Sequence, residues 1–131
     1  MSESTVKLAF GREFRGRLEG EGASADIGKK TEGRLAPYDL MLGALGACYY
    51  STFVGIADKM RLDYERAEIN IHGVKREKVP TTLKTVHMEF TIFGAAEQKG
   101  FHRASELAAK YCSVHETISK VADIRLELKF A

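Results

Sequence analysis

The chain has 131 residues with 44% apolar side chains and no tryptophan, and its 20 Lys and Arg against 18 Asp and Glu leave a formal charge of +2. That length predicts a single domain over residues 1–131, the apolar fraction excludes a mainly disordered chain, and the small mixed charge leaves no footprint for nucleic acid. A chain this long buries about two-thirds of its extended surface on folding, so disulfide staples are not needed. The short basic stretches Lys29-Lys30 and Lys75-Arg76-Glu77-Lys78 read as solvated loops.

Cys48 and Cys112 are 64 positions apart with no CxxC spacing. A secreted disulfide scaffold is denser in cysteine, so the pair reads as intracellular thiols, and a cytoplasmic location is expected. Met1-Ser2-Glu3-Ser4-Thr5 lacks the basic stretch and apolar run of a signal peptide. From Leu40 to Ala57 run 18 residues without a charge, bracketed by Asp39 and Asp58. That is the lower limit for a membrane span, and no basic flank or aromatic belt accompanies it. A helix buried on nearly all sides of a soluble domain is the expectation.

Along the chain, Val6, Leu8 and Phe10 alternate with Lys7 and Ala9 as a short strand. Gly11 to Gly22 suits a strand continuing through a turn, and Ala23–Ile27 a return strand. Gly28 to Ala36 is a polar loop ahead of Pro37, which fits the first turn of a helix. That helix is predicted from about Pro37 to about Met60. Residues 67–72 and 86–92 alternate at period two around a turn containing Pro80, so they form an antiparallel hairpin. Glu97 to Ala122 reads as helical, with Phe101, Ala104, Leu107, Ala108 and Tyr111 at helical spacing; Val114, Ile118 and Val121 begin a slightly different stripe, which leaves one helix or two as the readings. Ile124, Leu126, Leu128 and Phe130 close the chain as a strand. Half-buried strands with segregated helices define an α+β domain. A helix apolar on every face has more surface than one such chain covers, which predicts a homodimer.

Two segments carry a family resemblance. Ala36-Pro37-Tyr38-Asp39-Leu40-Met41-Leu42-Gly43-Ala44-Leu45-Gly46-Ala47-Cys48 resembles the P-x-[E/D]-L-L-x-x-A-x-x-x-C helix of the OsmC/Ohr family, the osmotically inducible protein C and organic hydroperoxide resistance proteins. Lys110-Tyr111-Cys112-Ser113-Val114-His115 resembles the family's C-P-V segment. The resemblance implies the OsmC-like fold, with antiparallel sheets packed around a long buried central helix in an intertwined homodimer. It implies a thiol peroxidase without a cofactor, in which Cys48 attacks the peroxide and Cys112 resolves the sulfenic acid as a disulfide. A dihydrolipoyl protein or other thiol reductant is the partner it implies.

The chemistry itself asks for a thiolate, and burial in an apolar helix opposes ionisation, so a cation near Cys48 is expected. The family draws an arginine from its glycine-containing N-terminal strands, which here offer Arg12, Arg15 and Arg17, with Arg15 and Arg17 the first choices. Asp39 is the candidate anchor for that arginine, or else a helix N-terminal acid stabilised by the dipole. Tyr49, Phe53 and Tyr111 are candidate substrate contacts, with core packing as the other reading of each. Two positions depart from the pattern: Tyr38 stands where the hydroperoxide branch has glutamate, and Ser113 stands where the segment has proline. Cys48, Cys112 and His115 lack a fourth ligand at metal spacing, so no metal is expected, and His115 is a candidate for tuning the thiols. The competing function is a dimeric small-ligand-binding or regulatory module without peroxidase activity.

Overall fold

The structure, a computed structural model, describes residues 2–131, and the chain divides after Met41 into two compact units. The first holds an antiparallel sheet of β1 (Lys7–Phe10), β2 (Arg15–Glu19) and β3 (Ser24–Gly28), in the order β1-β2-β3. Gly16 pairs with Phe10, and a Cβ there would come within 2.4 Å of the Phe10 ring and of the Ala9 carbonyl. Only glycine lets these strands close. A single 3-10 turn, Lys30–Glu32, leads to α1 (Pro37–Lys59).

The start of α1 follows from its sequence. Pro37 occupies the first helical position, where its missing N–H costs nothing. Asp39, two residues on, accepts the Ala36 N–H at 2.9 Å, one half of a capping box, and pairs with Lys30 at 3.2 Å. At the other end Arg61 adopts a left-handed φ of 56°, and the Leu62 N–H returns to the Ala57 carbonyl at 3.0 Å. This is a helix stop of the kind glycine usually makes.

The second unit contains the rest of α1 and the sheet β4 (Arg66–Lys75), β5 (Leu83–Phe93) and β6 (Asp123–Phe130), in the order β4-β5-β6. The hairpin expected from period-two alternation is β4–β5, joined by a turn with a cis Val79–Pro80 bond. Two helices, α2 (Phe101–Tyr111) and α3 (Ser113–Ser119), connect β5 to β6. They provide the crossover that a parallel pair requires, and β6 indeed runs parallel to β5. The sheet is therefore mixed rather than wholly antiparallel.

Central strand β5 turns Val86, Met88, Phe90 and Ile92 inward, all fully buried. On α1 the residues Leu45, Tyr49, Phe53 and Ala57 recur every four positions as one buried stripe. Phe90 receives Phe53 at 4.8 Å and Tyr49 at 5.3 Å between centroids, both edge-to-face. A Cβ at Gly46 would lie 2.9 Å from Ile71 Cδ1, so glycine there lets α1 lie close on β4. Phe101, Ala104 and Ala108 of α2 complete this core.

Helix α1 is long and apolar enough, by length and composition, to cross a membrane, yet it is packed on the sheet along one stripe only. Gly43, Ala44, Ala47, Ser51 and Gly55 on its other side are exposed. A three-stranded sheet covers one face of a helix, so burial on nearly all sides is not reached within one chain.

Phe90→Ala is expected to destabilise the protein by about 3–5 kcal/mol, since three aromatic rings lose their common neighbour and the site cannot collapse. Urea unfolding followed by circular dichroism measures it.

Candidate functional site

The stripe that packs α1 also orients Cys48. Adjacent helical residues differ by about 100°, so Cys48 lies at the margin of the buried face that Tyr49 occupies. Its sulfur is half-buried, while Cys112 is fully buried.

Cys112 is the joint between α2 and α3. Its backbone is extended, with φ −76° and ψ 116°, and its N–H closes α2 on the Ala108 carbonyl at 3.0 Å. Its carbonyl then accepts the Glu116 N–H at 3.0 Å, the first turn of α3. Its sulfur accepts the His115 N–H at 3.4 Å, the part usually played by a serine or aspartate oxygen. The change of apolar stripe at Val114 in the sequence marks this break.

The joint brings the two thiols together. Ser113 Oγ is 3.8 Å from Cys48 Sγ, and the Cys112 thiol and the Val114 and Ser113 amides act on that sulfur as hydrogen-bond donors. The Val114 amide is the largest influence on Cys48, and with the Cys112, Ser113 hydroxyl and Ser113 amide donors it holds the thiol below its ordinary range against the opposing effect of burial. Burial pushes Cys112 up, and a Cys48 thiolate beside it pushes it further, against the His115 amide. The pair therefore splits: Cys48 ionises first and Cys112 keeps its proton. A cation was the expected source of activation, but within this unit neutral donors supply it. Sequence reasoning missed them because a backbone N–H has no residue type; the helix break after Cys112 was the available signal.

The other candidates are placed as follows. Arg15 lies 4.0 Å from Glu32, and Arg17 donates to Asp26 at 2.8 Å and to Ser24 Oγ at 2.7 Å, all within the N-terminal unit. Arg34, which the sequence did not single out, donates to the Gly16 and Ile27 carbonyls at 2.9 and 3.2 Å. Asp39 caps α1, and its carboxyl is held low first by the Ala36 amide and then by Lys30. Tyr49 and Phe53 lie in the core, the other of the two readings given for them: neither ring has exposed surface, because both face β5, and the Tyr49 hydroxyl donates to the Ser105 carbonyl at 3.2 Å. Tyr111 is 63% exposed at the end of α2. Burial pushes His115 below the usual histidine range, so its ring is neutral at pH 7. Among the described residues, the metal-ligating atoms that gather within 4.8 Å are those of His87, Glu89 and Glu127, and not those of Cys48, Cys112 and His115.

An α+β domain with two adjacent thiols of unequal acidity, one on a long helix and one at a helix joint, defines a class of thiol protein. The OsmC-like protein family model matches residues 28–127, and the chain belongs to that family. It is 27% identical to Protein YhfA of Escherichia coli (strain K12) over 124 residues, 93% of this chain and 92% of that protein. An OsmC like protein from Mycoplasma pneumoniae superposes with a TM-score of 0.88 at 14% identity, covering 99% of this chain and 98% of that one. An organic hydroperoxide resistance protein OsmC from Legionella pneumophila gives 0.77 at 18% identity, covering 98% of each chain.

With less than one equivalent of iodoacetamide at pH 7, Cys48 is expected to be labelled and Cys112 to stay free until the protein unfolds. Peptide mass spectrometry reads the order, and equal labelling would contradict the split.

Proposed function

We propose that this protein is a thiol-dependent peroxidase that reduces organic hydroperoxides or hydrogen peroxide. The observation that carries it is a half-buried Cys48 set beside the buried Cys112 at the α2–α3 joint, with donors that favour the thiolate of the first and burial that opposes it in the second. Attack on a peroxide needs a thiolate, and resolution needs a second thiol in reach. The Cys48 thiolate attacks the terminal oxygen, the O–O bond breaks, and the departing alkoxide takes a proton from water. Cys48 is then a sulfenic acid. The Cys112 sulfur attacks it, the S–S bond forms, and the hydroxyl leaves as water with the thiol proton. A dithiol reductant, of which a dihydrolipoyl protein is one kind, returns both cysteines to thiols. Reduced thiols of this sort fit the cytoplasm. The reading is supported by the family and by the name of the Legionella pneumophila neighbour, which refers to hydroperoxide resistance. Arg15 and Arg17 remain candidates in this proposal to bring a cation to the sulfur.

Reduced protein supplied with dithiothreitol is expected to consume cumene hydroperoxide. Cys48→Ser should lower the rate at least a hundredfold, and Cys112→Ser should trap a sulfenic acid on Cys48 that over-oxidises with excess peroxide. No turnover by the wild-type protein with either kind of peroxide would sink the proposal.

The active form in this reading is a homodimer, with the exposed side of α1 covered by a second copy. Beside it a groove of about 320 Å³ between α1 and β4, lined by Leu42, Ala47, Tyr50, Ile69 and Ile71, adds apolar surface to that face. Sedimentation velocity is expected to show a dimer at micromolar concentration; a stable folded monomer there would contradict it.

A further inference from the structure

The family's second-cysteine segment has proline after the cysteine, and this chain has Ser113. The two residues differ in two groups that bear on Cys48: proline has neither a hydroxyl nor an N–H. Ser113 is the first residue of α3, a position where proline is well tolerated, so the backbone would accept either. What changes is the surroundings of the sulfur. Ser113 Oγ lies 3.8 Å from Cys48 Sγ, and among the described residues it has no other hydrogen-bond partner. While Cys48 is a thiol either atom can be the donor, but a thiolate can only accept.

We propose that Ser113 is a specific donor to the attacking sulfur, its hydroxyl turning to Cys48 as the thiolate forms and holding it in that state. The role rests on Cys48 being the attacking thiol. It adds to the Val114 amide, which any residue at position 113 would leave in place. The Ser113 side chain is exposed, so water competes for the same acceptor and the effect is smaller than that of a buried charged hydrogen bond.

The test uses full-length protein carrying Cys112→Ser. That substitution removes the thiol that bonds to Cys48 and leaves an oxygen cap on α3. A pH titration of the thiolate absorbance at 240 nm then reports Cys48. Ser113→Ala is expected to lower its ionisation constant about threefold to tenfold, Ser113→Thr to restore it to within twofold, and Ser113→Pro to lower it most, since the amide goes as well. Thermal melting of each variant shows whether the fold is kept, and a purely structural serine would move melting without moving the titration. If Ser113→Ala titrates like the parent, the proposal is overturned, whatever Ser113→Pro does, because a shift in the proline variant alone belongs to the amide. Peroxide consumption is measured separately on proteins with both cysteines. An inactive wild-type protein whose titration still responds to Ser113 would remove the peroxidase reading and leave this one standing, and an active protein with an unresponsive titration would do the reverse.

Discussion

The packing of α1 against β5 is the constraint from which the thiol site follows. Leu45, Tyr49, Phe53 and Ala57 fix the rotation of the helix, because Phe90 takes both aromatic rings edge-on and leaves no room for another phase. Once Tyr49 is buried, Cys48 must lie about 100° away, at the rim. The same core anchors α2 through Phe101, Ala104 and Ala108. That anchoring determines where α2 stops and where α3 begins, and so what faces the Cys48 sulfur. The geometry of the two cysteines is thus a property of an apolar core in which only Cys112 takes part.

At the sulfur itself two opposing effects compete. Partial burial disfavours a thiolate, and hydrogen-bond donors favour it. For Cys48 the donors win, because it is half exposed and several of them converge on it. For Cys112 burial wins, because its sulfur is fully enclosed and its amide donor contends with a neighbouring sulfur that ionises first. Two identical side chains thereby acquire different chemistry, and neither depends on a charged residue of the same unit for the difference.

Much of the fold could be read from local pattern. Pro37 and the uncharged run located α1 to within one residue at its end, and the alternation of 67–72 with 86–92 identified the hairpin. The change of stripe at Val114 left one helix or two open, and the fold has two, broken at Cys112. The parallel pairing of β6 was not legible, since strand direction depends on where an intervening crossover delivers the chain rather than on the strand's own residues. The cysteines were legible as a pair through the resemblance, and their contact only through the fold. Tyr49 and Phe53 carried two readings in the sequence, pocket wall or core, and only the fold shows both rings enclosed against β5. Ser113 was visible as a departure from a pattern, but its contact with Cys48 was not, because they are 65 positions apart.

The distance between the cysteines along the chain carries a consequence of its own. They are 64 positions apart, one within α1 and one at the α2–α3 joint, so a bond between their sulfurs would close a loop containing the second half of α1, the β4–β5 hairpin and α2. By the chain-entropy account, closing a loop that long restricts the unfolded ensemble by about 4 kcal/mol. That is a sizeable fraction of the stability of an ordinary domain. Oxidation of this pair would therefore do more than store two electrons: the oxidised chain would resist unfolding and proteolysis while reduction would relax it, so the redox history of the molecule would be written into its lifetime.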